Sequence, residues 1–314
     1  MENKELLEEC TLCTRNCKVN RFKSLGVCKA SEKVKVARAE LHPWEEPPIS
    51  FKNGSGTVFF SHCNLKCVFC QNHEISQDFK GLEISIERLV EIFLELQEKG
   101  AENINLVTPT HYAVQIIEAL KIAKEKGLSI PILYNTNGYD SLETIKLLDG
   151  YIDVYLPDFK YFKDDYALKY SKIKNYKDNL IPVLDEMFRQ VGSPQFSEEG
   201  KLLKGMIIRH LMLPGLLFDS KKVIDTIFSK FGDDVYISIM NQYTPMNKSC
   251  DYPEINKPLN PKHYESLIDY AASSGVKNAF IQESGTNSKA YVPSFKYEGV
   301  MKNKLLNRFF LKIK

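Results

Sequence analysis

Hydrophobic and polar positions follow two alternating patterns along most of the chain. From Gly56 onward, short runs of β-branched and aromatic residues alternate with longer segments in which apolar residues recur every three or four positions. This alternation is typical of βαβ units around a parallel sheet, because each strand needs a crossover before the next can pair with it in parallel. The pattern predicts seven strands, at 57–60, 103–107, 130–135, 152–156, 206–213, 235–240 and 278–281.

Three of the intervening segments carry an apolar stripe at helical spacing. Such a stripe faces a sheet, while the rest of the helix surface faces water. A Ser-Gly pair at 274–275 is expected to end the third helix. The stripes consist of Ile86, Leu89, Val90, Phe93 and Leu94, of Ala113, Ile116, Ile117 and Leu120, and of Tyr264, Leu267, Ile268 and Ala271.

Three other segments do not belong to this alternation of strands and helices. Residues 192–205, GSPQFSEEGKLLKG, have neither period and indicate a surface loop or hairpin. Residues 243–261 contain four prolines and indicate a long loop, either the cover of an active site or a passive excursion. The basic tail after Gly299 is expected to form a helix that packs on the core, the alternative being a helix for a membrane surface or a partner. Its apolar face would consist of Leu305, Leu306, Phe309 and Phe310.

The composition is that of an ordinary soluble globular protein. Of the 314 residues, 43% are hydrophobic and 26% are charged, and the formal net charge is +2. So small a net charge provides no field to steer the chain to nucleic acid or a membrane, and no apolar run reaches the roughly 18 residues of a membrane span. The acidic start, MENKELLEEC, lacks the apolar stretch of a secretory signal. We therefore expect a cytoplasmic protein with neither a membrane nor a nucleic acid as its partner.

Seven of the eight cysteines lie within the first 70 residues. In a reducing compartment, closely spaced cysteines are more often metal ligands or catalytic groups than disulfides. The segment FFSHCNLKCVFCQN, just after the first predicted strand, spaces Cys63, Cys67 and Cys70 as Cys-x3-Cys-x2-Cys. Thiolates are the usual ligands of iron–sulfur clusters. Three of them leave one iron of a four-iron cluster open, and an open iron is a reaction site.

This cysteine triplet, with the aromatic Phe69 before its last member, resembles the motif of radical S-adenosylmethionine (radical SAM) enzymes. Within them, the chain is similar to the PflX-type relatives of pyruvate formate-lyase activating enzyme. The resemblance extends over nearly the whole chain. It includes the motifs CTLCTRNCKVNR, LVTPTHY, YNTNGYD, VYLPDFKY, IIRHLMLPG, MNQYTPM and FIQESGT.

The resemblance implies both a fold and a chemistry. The fold would be α/β, a partial (β/α)6-type radical SAM barrel preceded by a small four-cysteine segment. The triplet would hold a 4Fe-4S cluster whose open iron binds S-adenosylmethionine. A flavodoxin or ferredoxin would supply one electron, and the resulting 5′-deoxyadenosyl radical would take a hydrogen atom from the substrate.

The resemblance also assigns five residues to S-adenosylmethionine. Phe69 would contact the adenine region, and Asn135, which stands where relatives carry an acidic residue, would face the ribose or the amino-acid end. Asp158 and Lys160 match an Asp-x-Lys pair that contacts the cofactor. Arg209 matches an arginine that pairs with the methionyl carboxylate. Four of the five also have a structural interpretation: Phe69 as core, Asp158 with Lys160 as an ion pair, and Arg209 as the partner of a buried carboxylate.

One motif departs from the family. Where relatives usually have Gly-Gly-Glu to hold the methionyl amino group, this chain has Thr108, Pro109, Thr110 and His111. Thr108, Thr110 or the backbone would replace those contacts. His111 is either a pocket residue or a structural histidine at the start of a helix.

A second cysteine set precedes the barrel. Cys10, Cys13, Cys17 and Cys28 are spaced Cys-x2-Cys-x3-Cys-x10-Cys, which is a complete set for zinc or for a second iron–sulfur cluster. A metal would stabilise a segment that has a poor core, and unmetallated thiols are the remaining alternative. The basic residues between these cysteines are more typical of a solvated face than of an RNA-binding surface.

These patterns predict three parts of the chain and one class of reaction. The parts are a metal-binding segment at 1–50, the radical SAM barrel at 51–288 and the basic tail at 289–314. The resemblance implies that the substrate would be a glycine of a partner glycyl-radical enzyme, and the alternatives are a small molecule or another macromolecule. A protein of another class, an electron-transfer or metal-binding module without radical chemistry, is the competing hypothesis.

Cys250 is either a cavity residue or an inert thiol.

Overall fold

The computed structural model describes residues 3–283, 285 and 293–302. Ten strands form one sheet in the order β10-β9-β8-β6-β5-β4-β2-β1-β3, and β7 pairs with β8 beside this path. The strands are β1 (Val34–His42), β2 (Ser55–Phe60), β3 (Leu82–Ile84), β4 (Ile104–Val107), β5 (Ile132–Thr136), β6 (Val154–Pro157), β7 (Gln195–Phe196), β8 (Leu202–Leu211), β9 (Tyr236–Met240) and β10 (Ala279–Ile281).

Helices connect the strands that pair in parallel. Two short 3-10 turns, Thr110–Tyr112 and Ser249–Asp251, supplement them. The helices are α1 (Glu5–Glu8), α2 (Pro47–Ser50), α3 (His73–Ser76), α4 (Ile86–Glu98), α5 (Ala113–Glu125), α6 (Leu142–Leu147), α7 (Asp164–Ser171), α8 (Tyr176–Val191), α9 (Leu217–Phe231) and α10 (Pro261–Ser273).

Seven parallel strands form the body of the sheet. From β2 through β4, β5, β6, β8 and β9 to β10, each strand pairs in parallel with the next, and each connection contains at least one helix. Six strand–helix units followed by a seventh strand make an open, partial (β/α)6-type barrel. The α/β fold class expected from the sequence is confirmed, and so are the seven predicted strands, with small differences at their ends.

Two antiparallel strands extend the sheet beyond the predicted elements. Strand β1 pairs with β2, and β3 pairs with β1. In β1 buried residues such as Val34 and Val36 are mixed with half-buried charged ones such as Lys35 and Arg38, so the strand lacks the continuous apolar run of a buried parallel strand. Residues 34–42 therefore belong to the sheet, although they fall within the predicted N-terminal segment.

The segment at 192–205 forms the predicted hairpin, because β7 pairs with the start of β8 in antiparallel fashion. The three predicted helices are also present, as α4, α5 and α10. Helix α4 begins after Ser85, whose hydroxyl accepts a hydrogen bond from the Arg88 amide, and this contact satisfies one of the free amides at the helix start. Of its predicted apolar stripe, Leu89, Val90 and Phe93 are buried, and Ile86 and Leu94 are partly buried.

The described part of the C-terminal segment lies against β1 and α4. The Ala39 amide donates to the carbonyl of Glu298, and the guanidinium of Arg88 donates to the carbonyls of Gly299 and Val300. The apolar face predicted at Leu305, Leu306, Phe309 and Phe310 lies outside the described residues. Among the described residues, no helix has both the length and the apolar character needed to cross a bilayer.

Candidate functional site

A cavity of about 250 Å³ opens where the parallel strands end. Cys63 follows β2, Thr108 follows β4 and Asp158 follows β6. Because parallel strands end at the same edge of the sheet, side chains far apart in sequence meet there. The lining includes the three cysteines of the triplet and all five residues assigned to S-adenosylmethionine: Cys63, Cys67, Cys70, Phe69, Asn135, Asp158, Lys160 and Arg209.

Each sulfur of the triplet has a polar hydrogen nearby. The Leu65 amide donates to Cys63 Sγ at 3.4 Å, the Ser171 hydroxyl lies 3.0 Å from Cys67 Sγ, and the Ser76 hydroxyl lies 3.3 Å from Cys70 Sγ. Hydrogen bonds to sulfur stabilise thiolates and tune iron–sulfur centres. Three soft donors and this surrounding shell therefore fit an iron–sulfur cluster.

The loop that carries the triplet is fixed by its backbone. The Val68 amide donates to the carbonyl of Tyr170 at 2.8 Å, and the Lys248 amide donates to the carbonyl of Val68 at 2.8 Å. The ring of Phe69 packs against Tyr243 with centroids 5.8 Å apart, and Tyr243 and Thr244 line the cavity. The start of the proline-rich segment, residues 243–261, thus covers the cysteine loop. This position agrees with the interpretation of the segment as the cover of an active site.

Burial opposes ionisation of the thiols. It raises the pKa of Cys63 to about 12 and that of Cys70 to about 11, and the neighbouring Cys67 adds to both shifts. Three adjacent thiolates in a buried cavity repel one another unless a positive centre lies between them. The electrostatics of the triplet therefore favour a bound metal group.

Asp158 and Lys160 form an ion pair in the wall of the cavity. Lys160 Nζ lies 2.6 Å from Asp158 Oδ2. Burial opposes the charge of Lys160, but Asp158 and Cys67 outweigh burial, and the pKa of the amine is raised. The amine is therefore a cation within reach of the sulfur loop.

Arg209 lines the cavity and is already paired with two glutamates. Its Nη2 donates to Glu45 Oε2 at 2.7 Å, and its Nε lies 3.0 Å from Glu46 Oε1 in an ion-pair contact. The side chain of Asn105 donates to Glu45 Oε1 at 3.0 Å. This buried cluster matches the structural interpretation of Arg209, and its assignment to the methionyl carboxylate stays a prediction.

In the Thr-Pro-Thr-His segment, Thr108 lines the main cavity, whereas Thr110 and His111 make buried hydrogen bonds outside it. Thr108 lines the cavity and has a φ of 58°, in a left-handed region that β-branched residues rarely adopt. Thr110 is buried and donates to Asp140 Oδ1 at 2.7 Å. His111 is buried, and its Nε2 donates to the Ser61 carbonyl at 2.8 Å. His111 lines a second cavity rather than the main one.

Asn137 and Gly138 complete the wall beside Cys63. Asn137 Nδ2 lies 3.5 Å from Cys63 Sγ and donates to Asn64 Oδ1 at 2.7 Å. Gly138 has a φ of 78°, and a Cβ there would lie 2.7 Å from the carbonyl oxygen of Asp158, so only glycine allows this approach. Sequence reasoning missed Asn137, although the Asn-Thr-Asn-Gly motif contains it.

The four N-terminal cysteines lie together around a second, much smaller cavity. Cys10, Cys13, Cys17 and Cys28 line it, together with Arg15, Arg21 and His111. Burial raises the pKa of Cys13 to about 12. In the described ranges, no three His, Cys, Asp or Glu side chains converge on a position for a single metal ion.

Cys250 belongs to neither cavity. It is exposed in the second 3-10 turn, with its sulfur 3.7 Å from Asp251 Oδ1. Its position agrees with the inert interpretation.

Comparison with known proteins identifies a family. The model of the radical SAM superfamily matches residues 57–194. An uncharacterized protein of Methanocaldococcus jannaschii is 31% identical over 281 residues, which cover 85% of this chain and 75% of that protein. Pyruvate formate-lyase-activating enzyme of Clostridium pasteurianum is 27% identical over 173 residues, which cover 53% of this chain and 65% of that enzyme.

Among solved structures, Streptococcus suis SuiB bound to the precursor peptide SuiA aligns with a TM-score of 0.50 at 17% identity. The alignment covers 71% of this chain, and the chain spans about half, 47%, of the length of SuiB. At this identity the likeness concerns the fold alone. The family match over the first half of the barrel and the relative at 31% identity lead to one conclusion: the chain belongs to the radical SAM superfamily.

Proposed function

We propose that this chain is a radical SAM enzyme that cleaves S-adenosylmethionine reductively and then takes a hydrogen atom from its substrate. The observation that carries the proposal is the 250 Å³ cavity, in which the cysteine triplet and the five assigned side chains line one space. Their sequence positions run from 63 to 209, so neither a chance cluster within one loop nor the cysteine spacing alone explains the arrangement.

The family implies a 4Fe-4S cluster and S-adenosylmethionine, and the residues present suit both. Cys63, Cys67 and Cys70 would hold the cluster. When bound, the two groups supply the electron and the 5′-deoxyadenosyl radical for hydrogen abstraction. The protein would bind, orient and shield them from water.

The remaining side chains would hold the cofactor at its two ends. Phe69, already packed on Tyr243, offers an aromatic face for the adenine. The Asp158–Lys160 pair and Asn135 offer polar contacts for the ribose and the methionyl group. Thr108 lies where family members usually have Gly-Gly-Glu, and its hydroxyl and backbone would serve the amino group.

For the substrate we propose a glycine of a partner glycyl-radical enzyme, which would make this chain a PflX-type activase. Its support is the similarity to the Clostridium pasteurianum activating enzyme. A small molecule is the second candidate. The observation that favours it is the mixture of apolar side chains and a few polar ones, such as Thr108 and Asn135, that line the cavity, which is typical of small-molecule sites.

One experiment separates the two substrates. The reconstituted enzyme, S-adenosylmethionine and dithionite are mixed anaerobically with a candidate glycyl-radical protein, and electron paramagnetic resonance (EPR) spectra are recorded. An activase gives a glycine-centred radical on the partner, which a Gly→Ala variant of the partner's radical site abolishes. Deoxyadenosine formation that rises with a metabolite extract, with no protein radical, would instead favour the small molecule.

We also propose a metal, zinc or iron–sulfur, at Cys10, Cys13, Cys17 and Cys28, with four thiols around one cavity as the support. The electron donor would be a flavodoxin or ferredoxin type of protein. A reducing, cytoplasmic location is part of the proposal, because closely spaced cysteines in such a compartment are more often metal ligands than disulfides.

A further inference from the structure

The loop between β1 and α2 closes one side of the main cavity. This loop, residues 43–46, is here termed the Trp44 loop, and both Trp44 and Glu45 line the cavity. The Glu45 amide donates to the Ser50 hydroxyl oxygen at 2.9 Å, and the Ser50 hydroxyl donates to the His42 carbonyl at 3.2 Å. Ser50 thus holds the base of the loop, and the glutamate side chains attach the loop to the barrel.

The wall of the cavity contains a binding site for one carboxylate, and Glu45 occupies it. Glu45 Oε2 accepts from Arg209 Nη2 at 2.7 Å, and Glu45 Oε1 accepts from Asn105 Nδ2 at 3.0 Å. One donor therefore serves each oxygen. Both donors belong to strands of the sheet, Arg209 to β8 and Asn105 to β4, whereas the carboxylate that they hold belongs to a loop.

Arg209 has more negative charge around it than it can neutralise. Besides Glu45, it faces Glu46, whose Oε1 lies 3.0 Å from Arg209 Nε, so two carboxylates share one guanidinium. Glu46 Oε2 is buried and has no hydrogen-bond partner in the part of the chain that the structure describes. Because like charges repel strongly away from water, this cluster has no capacity for a third carboxylate.

The other cation of the cavity wall is also neutralised. The lysine and arginine side chains that line the cavity are Lys160 and Arg209, and Lys160 Nζ lies 2.6 Å from Asp158 Oδ2. S-adenosylmethionine, the ligand in the proposed function, carries a carboxylate, and it would enter beside a cluster that three thiolates make anionic. A buried carboxylate is costly unless it is paired, so the ligand has to take over a cation that already has a partner.

Of the two ion pairs, the pair at Arg209 is the one that can exchange. Asp158 and Lys160 follow β6 only two positions apart, so the chain itself keeps that carboxylate beside its amine. Glu45 is 164 positions away from Arg209, and its neighbour Trp44 is 62% exposed. A movement of the loop therefore brings the Glu45 carboxylate into water and leaves every strand in place.

We propose that Glu45 is an internal substitute for the carboxylate of S-adenosylmethionine, and that binding of the cofactor displaces it from Arg209 and releases the Trp44 loop. One ion pair replaces another, and no covalent bond or proton changes. Because the loop closes one side of the cavity, its release opens that side to the substrate only after the cofactor is in place. The identity of the ligand in this exchange rests on the proposed function.

Trp44 reports the exchange directly, because it is the single tryptophan of the chain. Full-length protein, reconstituted anaerobically with iron and sulfide, is titrated with S-adenosylmethionine. Equilibrium dialysis measures binding, while the emission of Trp44 and its quenching by iodide measure the state of the loop. The proposal expects emission and quenching to change as the cofactor binds. Decarboxylated S-adenosylmethionine keeps the sulfonium and the amine but lacks the carboxylate, and its binding should leave Trp44 unchanged.

Glu45→Gln removes the competing charge and keeps the shape of the side chain. This variant should bind S-adenosylmethionine about tenfold more tightly, because no internal carboxylate has to be displaced first. Before any cofactor is added, iodide should quench its Trp44 to nearly the extent seen in the cofactor-bound wild type. Glu199→Gln, which removes an exposed carboxylate paired with Lys52, is the matched control and should resemble the wild type in both measurements.

Two results would overturn the exchange and leave the proposed function intact. One is S-adenosylmethionine that binds wild type and Glu45→Gln equally well without a change at Trp44. The other is an equal response of Trp44 to the decarboxylated compound, and this comparison needs only wild-type protein if the variant does not fold. By contrast, no binding to either protein when the cluster is present would refute the proposed function together with the exchange.

Discussion

At the scale of single residues, Arg209 joins parts of the chain that are far apart. It comes from β8, and its partners Glu45 and Glu46 come from the loop between β1 and α2. All three side chains are nearly buried, with exposed fractions of 12%, 7% and 6%. The charge cluster therefore fixes the loop that closes one side of the cavity.

Arg209→Met is expected to lower the free energy of unfolding by about 3–5 kcal/mol, because it leaves two buried carboxylates without their cation. Urea denaturation followed by circular dichroism measures the change. A surface pair provides the comparison: Lys52→Met removes the contact to Glu199, in which both side chains are more than 60% exposed, and should cost no more than about 1 kcal/mol. Equal effects of the two substitutions would contradict a structural role for the buried cluster.

The two threonines after β4 should respond in opposite directions. Thr108→Gly removes left-handed strain and should raise the free energy of unfolding by about 0.5–1 kcal/mol. Thr110→Ala removes the hydrogen bond to buried Asp140 and should lower it by about 1–3 kcal/mol. Thermal unfolding of both variants measures these shifts. A Thr108→Gly protein less stable than the wild type would show that the left-handed backbone is not strained.

At the scale of elements, the buried faces of helices and the buried strands could be predicted from the sequence, but partners distant in the chain could not. Parallel strands such as β4 are continuous apolar runs, whereas β1 mixes Val36 with Lys35 and was missed. The triplet and the Asp158–Lys160 pair were found because each is local. Glu45 was not, because 164 positions separate it from Arg209 and no spacing rule connects them.

The start of α4 gives the prediction at this scale. Ser85→Ala removes the side chain that accepts from the Arg88 amide at 3.2 Å and should lower the free energy of unfolding by about 1 kcal/mol. Ser229→Ala, an exposed change within α9, should stay within about 0.5 kcal/mol. Chemical denaturation distinguishes them, and a Ser85→Ala protein as stable as the Ser229→Ala protein would exclude a capping role.

At the scale of the whole molecule, the open barrel places the residues of the candidate site at one edge of the sheet. The strand order places β2, β4, β5, β6 and β8 side by side, so residues after each strand face one cavity. The N-terminal segment that carries Cys10, Cys13, Cys17 and Cys28 contacts that edge beside Cys63, through Arg15 to the Asn64 carbonyl and through the Cys28 carbonyl to His62. The fold class could be predicted from the alternation of strands and helices. The contact between the two cysteine sets could not be predicted, because it depends on side chains that meet only in the folded chain.

The most direct measurement is the amount of 5′-deoxyadenosine formed from S-adenosylmethionine by anaerobically reconstituted protein with dithionite. The account predicts product from the wild type and from Cys250→Ala, whose exposed thiol lies outside both cavities, and a loss of at least about 100-fold in Cys70→Ala, which removes a ligand of the open cluster. Equal product from Cys70→Ala, or none from wild-type protein that carries its cluster and binds S-adenosylmethionine, would contradict the central claim.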